Sequence, residues 1–285
     1  MTLGVPAAIV KLRMSEHRST WRALPFPRER KLVIDAVRYG KRKHTIHGLL
    51  EVDVTEPRRR IRQLAVGGGG ELSFTAFIIH CLARAISEHE MLASYRDWRG
   101  RLIVFDDVDV NAIVERVVHS TTLGSVLLVR AANRKSVREI HEEIRAAQGK
   151  RMRGRDHPMW MAYVFLPGFA RAWLWRISGR FPHLIKRVGG TVSVTAVGMF
   201  GGGGGWGIGI GSHTTGLTLG GISRRAVVVD DRIEPREILD VTLSFDHDIV
   251  DGAPAARFAS RLRELIESAA GIEDPDIPRE VEARP

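Results

Sequence analysis

The chain has 285 residues, 44% of them hydrophobic, and a formal net charge of +10. That length gives one large domain or two small ones with a sizeable core. A single cysteine, Cys81, excludes an internal disulfide framework, and no helix-turn-helix or zinc-finger pattern marks a nucleic-acid binder.

The basic excess favours anionic partners, phosphate-bearing substrates among them. Met1–Val10 lacks the basic start and long apolar run of a signal peptide, which with the lone thiol leads to an expected cytoplasmic location. Residues 1–24 read as a peripheral arm. After Pro25-Phe26-Pro27, Arg28–Val37 reads as a short helix burying Leu32, Val33, Ala36 and Val37. The charge run Lys41–His44 is either a solvated turn or an anion contact. His47–Val54 reads as a strand and Glu56–Leu64 as a basic helix.

Gly67–Gly70 is a loop but not a phosphate-binding loop, because no Gly-Lys-Ser/Thr follows. Ser73 is placed to cap a helix whose apolar face is Phe74, Phe77, Ile78, Cys81, Leu82, Ala85 and Ile86. Arg101–Phe105, Asp109–Val114 and Ser125–Arg130 read as strands. Ser136 with Glu139 makes a capping box for a helix to about Gln148, with Val137, Ile140, Ile144 and Ala147 as its buried stripe.

Composition then shifts. The stretch His157–Ile177 holds Trp160, Trp173, Trp175, Phe165 and Phe169, but Pro167-Gly168 and Arg171 interrupt it as a membrane span. Two shorter amphipathic segments around the break are expected. They could form a helical hairpin against the domain or a neighbouring subunit, an acyl-chain pocket, or a membrane-surface contact.

Thr191–Val197 reads as a strand. The glycine run from Gly201 to Gly207 does not open a helix, so a dinucleotide site is not expected. Leu217–Gly220 and Ala226–Val229 read as two short strands, Asp230-Asp231 as a turn, and 271–285 as a disordered tail. Near the end, Val241, Leu243 and Phe245 alternate with polar residues as a half-buried strand does. The same alternation aims His247 inward. Asp251-Gly252 makes a turn, and Ala255, Phe258, Leu262, Leu265 and Ile266 share one face of a helix. An imidazole held there is either a general base or a buried histidine bonded to a backbone carbonyl.

Other catalytic patterns fail. His141-Glu142 lacks the second histidine of HExxH, no GxSxG elbow exists, and one cysteine cannot build a thiolate metal site. His119 and His213 fall in loops, where surface roles are the default, although His213 could line a channel.

The phrase Ser-Phe-Asp-His-Asp-Ile-Val-Asp-Gly-Ala-Pro-Ala-Ala-Arg-Phe, from Ser244 to Phe258, closely resembles the terminal signature of the 2-oxoacid dehydrogenase E2 acyltransferases. The run Gly189–Gly202 resembles their second signature, a strand ending in a Gly-Met-Phe-Gly-Gly step. The resemblance spans roughly Pro25–Ser268 and implies an α/β fold, a two-layer sandwich of the chloramphenicol acetyltransferase type with a mixed sheet flanked by helices. By that pattern residues 25–270 form the catalytic domain, and the Trp-rich stretch 157–187 is an insertion in it.

The resemblance also implies a reaction: transfer of an acyl group between coenzyme A and a thiol such as dihydrolipoamide. His247 falls on the family's general base, Thr195 on its oxyanion-binding hydroxyl, and Asp251 on the aspartate of the motif, able to fix the imidazole or to cap the following helix. Gly252 is expected to permit a tight turn, and Gly252, Phe200 and Trp206 are the expected substrate contacts. Coenzyme A or acyl-CoA enters as substrate, with no tightly bound cofactor. The first 25 residues have no room for a lipoyl domain, so a lipoyl group is expected only in trans, on a carrier protein. A homotrimer, or a multiple of one, is implied, with Thr195 and His247 able to come from different chains. Two alternatives stand beside this reading: an acyl-CoA-dependent transferase for a small-molecule acceptor, and a non-catalytic trimeric scaffold.

Overall fold

The computed structural model describes residues 26–27, 30–68, 70–118, 121–149, 158–196 and 203–272. Most of the sheet is built from the C-terminal half of the chain. There β7 (Thr215–Val229) and β8 (Arg232–Asp246) form a long antiparallel hairpin. Its turn is Asp230-Asp231, with φ of 47° and 63°. Two consecutive left-handed residues match the twist that a two-residue hairpin requires, and aspartate tolerates them better than most side chains.

Around this hairpin the sheet grows in both directions. The strand β1 (Thr45–Asp53) pairs antiparallel with β8, while β6 (Val192–Ala196) runs parallel to β7. Beyond it lie β4 (Val110–Val118), parallel to β6, and β5 (Thr121–Val129), antiparallel to β4. The order is β1-β8-β7-β6-β4-β5, a mixed sheet. A small separate hairpin joins β2 (Tyr95–Arg96) to β3 (Leu102–Ile103).

The helices α1 (Arg30–Gly40), α2 (Thr55–Val66), α3 (Phe74–Ser87), α4 (Val137–Gly149) and α8 (Gly252–Glu267) flank the sheet. On α3, α4 and α8 the apolar stripes read from the sequence are the buried ones. Phe77, Ile78, Leu82, Ile140, Phe258 and Ile266 are sealed against Val110, Val192, Leu217, Leu239 and Leu243 on one sheet face. Each such side chain contributes about 1.5–3 kcal/mol on burial. Ser73 accepts from the Ala76 amide, and Ser136 and Glu139 form their capping box. The α/β sandwich with a mixed sheet flanked by helices is therefore the observed architecture.

Two expectations are corrected. The two short strands Leu217–Gly220 and Ala226–Val229 are parts of one fifteen-residue strand, β7, whose register shifts between Leu219 and Ile222. The shift falls at Gly220-Gly221, where an added Cβ would lie 2.1 Å from the Gly205 carbonyl oxygen and 2.2 Å from that of Gly203. Glycine inside a strand marks close backbone approach, and here a second segment lies directly on the sheet.

The second correction concerns α1. Val33 is 44% exposed, while Leu32, Ala36 and Val37 are only half-buried. Apart from Gly40, the buried residue is Asp35, which accepts from Tyr163 Oη and Arg171 Nε, both at 2.7 Å. Helix α1 thus faces its neighbour with a charge rather than a stripe.

In the Trp-rich stretch His157–Ile177 the two segments expected around the break are present as α5 (Pro158–Phe165) and α6 (Gly168–Ser178), and a further helix, α7 (Pro182–Gly189), follows them. The break at Pro167 is present, and a second falls at Gly179–Phe181. Among the described residues no helix is long and apolar enough to cross a membrane.

Candidate active site

The turn after β8 is fixed from three sides. Asp246 donates its amide to Thr214 O, and His247 donates its amide to His44 O at 2.8 Å. The amides of Ile249 and Val250 both return to Asp246 O at 3.0 Å. Below, Phe245 on β8 and Phe258 on α8 meet edge to face with ring centroids 5.9 Å apart. Strand and helix are therefore locked into a wedge, and His247 sits at its tip.

The imidazole does not point into the core as alternation predicts. His247 lies one residue past the end of β8, and its side chain is 46% exposed. Asp246 before it is buried instead, because both faces of β8 are covered from Ile238 to Asp246 and a period of two cannot tell them apart. The Nδ1 of His247 stands 3.8 Å from an Asp251 carboxylate oxygen, within ion-pair range but too long for a hydrogen bond. Asp251 occupies the N-cap position of α8, yet its side chain makes no capping bond. Gly252 is not in the left-handed region, and a Cβ there would meet nothing within 4 Å. The turn therefore does not require glycine, contrary to expectation.

The segment before β1 completes the surroundings. Lys43 forms a largely buried ion pair with Asp246, and His44 Nδ1 bonds Asp248 at 2.8 Å. That bond raises His44 above the usual imidazole range and lowers Asp248. The charge run Lys41–His44 is thus anchored to the site's own aspartates. Sequence reasoning missed this use of Lys43, Asp246 and Asp248; the signal available was the DHD triplet around His247. Next to them opens a cavity of about 430 Å³ lined by Tyr39, Arg42, Lys43, Arg96, Trp98 and Arg180 among others. Burial and then the Asp246 charge push the Tyr39 hydroxyl up. Three guanidiniums and Lys43 share this opening with the carboxylates of Asp97, Asp246 and Asp248 and the rings of Tyr39, Tyr95 and Trp98, so it offers both cations and aromatic surface to a ligand.

Thr195 is elsewhere. It lies in β6, half-buried, on the sheet face opposite the packed helices, and is paired across to Ile113 and Thr218. Thr218 in turn pairs with Thr242 on β8. His247 is five residues beyond Thr242, about 16 Å along the strand, with two strand spacings of about 4.8 Å between β6 and β8 as well. One chain therefore does not bring Thr195 and His247 to a common atom.

Trp206 sits at the height of Thr195, not of His247. Its indole N–H donates to Leu50 O on β1 at 3.1 Å, and the ring is 39% exposed. The glycine segment before it is tied to Asp240, which accepts from the Gly205 amide and, at both carboxylate oxygens, from Arg225 Nη2 at 2.9 and 3.0 Å. Phe200 lies outside the described residues, as does His119. His213 is turned toward Gly189, to whose carbonyl its Nε2 donates at 2.8 Å, and burial pushes it down to about 4.

Comparison with known proteins bears on this geometry. Residues 186–272 match the family model of the 2-oxoacid dehydrogenases acyltransferase (catalytic domain), a span that includes Thr195, His247, Asp251 and Gly252. The dihydrolipoyllysine-residue acetyltransferase component of the pyruvate dehydrogenase complex of Bacillus subtilis is 25% identical over 224 residues, which is 76% of this chain and 43% of that protein. The chain thus spans less than half the length of this curated relative. Among solved structures, a probable dihydrolipoamide acetyltransferase from Listeria monocytogenes superposes with a TM-score of 0.67 at 23% identity, covering 91% of this chain and 98% of that one. The dihydrolipoamide acetyltransferase of Azotobacter vinelandii gives 0.66 at 21% identity, covering 95% and 99%. Those two likenesses establish the shared fold, and the family match establishes the resemblance over the C-terminal segment.

Proposed function

We propose that this relative of the 2-oxoacid dehydrogenase acyltransferases is itself an acyltransferase, moving an acyl group between coenzyme A and a thiol acceptor such as dihydrolipoamide. The observation that carries the reading is the His247-x-x-x-Asp251-Gly252 motif on a rigid strand–helix wedge, within the segment matched to the family.

In this reading His247 takes the proton from the acceptor thiol. The thiolate attacks the thioester carbonyl, and the hydroxyl of Thr195 donates to the oxyanion that forms. Collapse of the tetrahedral intermediate breaks the bond to the coenzyme A sulfur, which leaves as a thiolate and recovers the proton from the imidazolium. Asp251, in ion-pair range of Nδ1, steadies the charged imidazole. The cavity lined by Arg42, Arg96 and Arg180 together with Asp97, Asp246 and Asp248 offers guanidiniums to a phosphate-bearing substrate.

The distance between Thr195 and His247 supports an assembled site, in which one copy supplies the imidazole and its neighbour the hydroxyl. A homotrimer closes such a head-to-tail contact on itself. Phe200 and Trp206, which flank the glycine run after Thr195, are then substrate contacts from the hydroxyl-bearing copy. A lipoylated carrier protein in trans is the partner this chemistry calls for, and the cytoplasm is the compartment assigned.

The test offers acetyl-CoA and free dihydrolipoamide to the purified protein and follows thiol consumption. Turnover that falls about 100- to 10,000-fold in His247→Ala is expected. No turnover, with His247→Ala indistinguishable from the parent chain, overturns the reading. Turnover with an acyl-CoA and small alcohols or amines, but not with dihydrolipoamide, moves it to the small-molecule alternative.

A further inference from the structure

The helix α6 is inverted. Its inner side carries polar work: Arg171, 8% exposed, is bonded to Asp35, and the Trp175 indole donates to Tyr163 Oη at 2.8 Å. Its outer side carries Phe169, 79% exposed, and Trp173, 62% exposed, one turn apart and followed on the same face by Arg176. Packed against it, α7 repeats the pattern, with Val188 70% exposed beside Arg187. An amphipathic helix ordinarily buries its rings and shows its charges. Here the internal Asp35–Arg171 pair holds the helix with its aromatics in solvent.

The charge that these helices themselves carry has one sign. No aspartate or glutamate occurs between Pro158 and Val229. Arg176 and Arg187 are exposed and have no acidic partner among the described residues. A two-fold contact between copies through this face would oppose these cations with nothing to neutralise them. A bilayer carrying anionic headgroups offers both what the rings and what the cations need. At eleven residues α6 is about 16 Å long, too short to cross the hydrocarbon and long enough to lie in the interface.

We propose that the outer face of α6 and α7, led by Phe169, Trp173, Arg176 and Arg187, docks the protein on an anionic membrane surface. The proposal is independent of the acyl-transfer reading. Its test is cosedimentation of the full chain with phosphatidylcholine vesicles, with and without phosphatidylglycerol. Binding to the anionic vesicles at least about tenfold stronger than to the neutral ones, and weakened by salt, is expected. The Phe169→Ser/Trp173→Ser and Arg176→Gln/Arg187→Gln variants should each lose about tenfold, with the melting temperature and native mass of the parent. Three results overturn the proposal: no binding to anionic vesicles, full binding by the Phe169→Ser/Trp173→Ser variant, or a change of native mass in that variant, which would assign the face to a contact between copies.

Discussion

Thr195 and His247 are set apart on one sheet, linked by the pairings Thr195–Thr218 and Thr218–Thr242, then four further residues of β8 and one step beyond its end. A site made within one chain cannot use both, whereas a site made between copies can. Co-expression of Thr195→Ala with His247→Ala distinguishes the two. Each variant alone should lose about 100-fold or more. In randomly mixed rings about a quarter of the contacts pair an intact imidazole with an intact hydroxyl, so about a quarter of the parent activity should return. Mixed assemblies no more active than the separate variants would refute the shared site.

The largely buried pair Lys43–Asp246 ties the segment before β1 to the turn that holds His247. Removing one partner of such a pair leaves an uncompensated charge and typically costs 3–5 kcal/mol, about the same order as a domain's whole stability. Lys43→Met should lower the denaturation midpoint strongly. Lys43→Met/Asp246→Leu should be less destabilised than the sum of its two single changes, the signature of direct coupling. Additive effects in that cycle would mean that the pair contributes no coupling energy.

How far the sequence could be read depended on the range of the interaction. The stripes of α3, α4 and α8 were legible because a helix buried on one side must repeat about every 3.6 residues, and Phe258, Leu262 and Ile266 do. The caps at Ser73 and Ser136 are local for the same reason. Asp35 was not legible, since its partner Arg171 lies 136 residues away and only the packing of α1 on α6 brings them together. The general-base motif could be found by its residue types, but the distance from Thr195 to His247 depends on strand order and register, which no local pattern encodes.

Gly220 makes a further test of the glycine segment. An alanine Cβ there would sit 2.1 Å from Gly205 O and 2.8 Å from Asp240 O, both rigid backbone atoms. Gly220→Ala should therefore lift the segment off β7, cost about 1–3 kcal/mol, and release the Trp206 indole from Leu50. Red-shifted Trp206 emission, read against a Trp206→Phe control, would report it. Unchanged emission and stability would show that the segment rests on other contacts.

Acid should act on the fold through His213. Its ring is pushed down to about 4 from the ordinary 6.5 by burial, and Nε2–H donates to Gly189 O just before β6. Between those two values the unfolded chain binds the proton and the folded one does not, so stability falls as pH drops from about 6.5 towards 4 and is fully present above 6.5. The full span corresponds to at most about 3 kcal/mol. His44 has the opposite sign, because its bond to Asp248 raises it, but it is exposed and its pair is screened by solvent. Thermal unfolding at pH 7.5 and pH 5 should therefore show a lower midpoint in acid. His213→Gln, which keeps a donor for Gly189 but cannot take up the proton, should narrow the gap. An equal gap in the variant would assign the acid sensitivity to other groups.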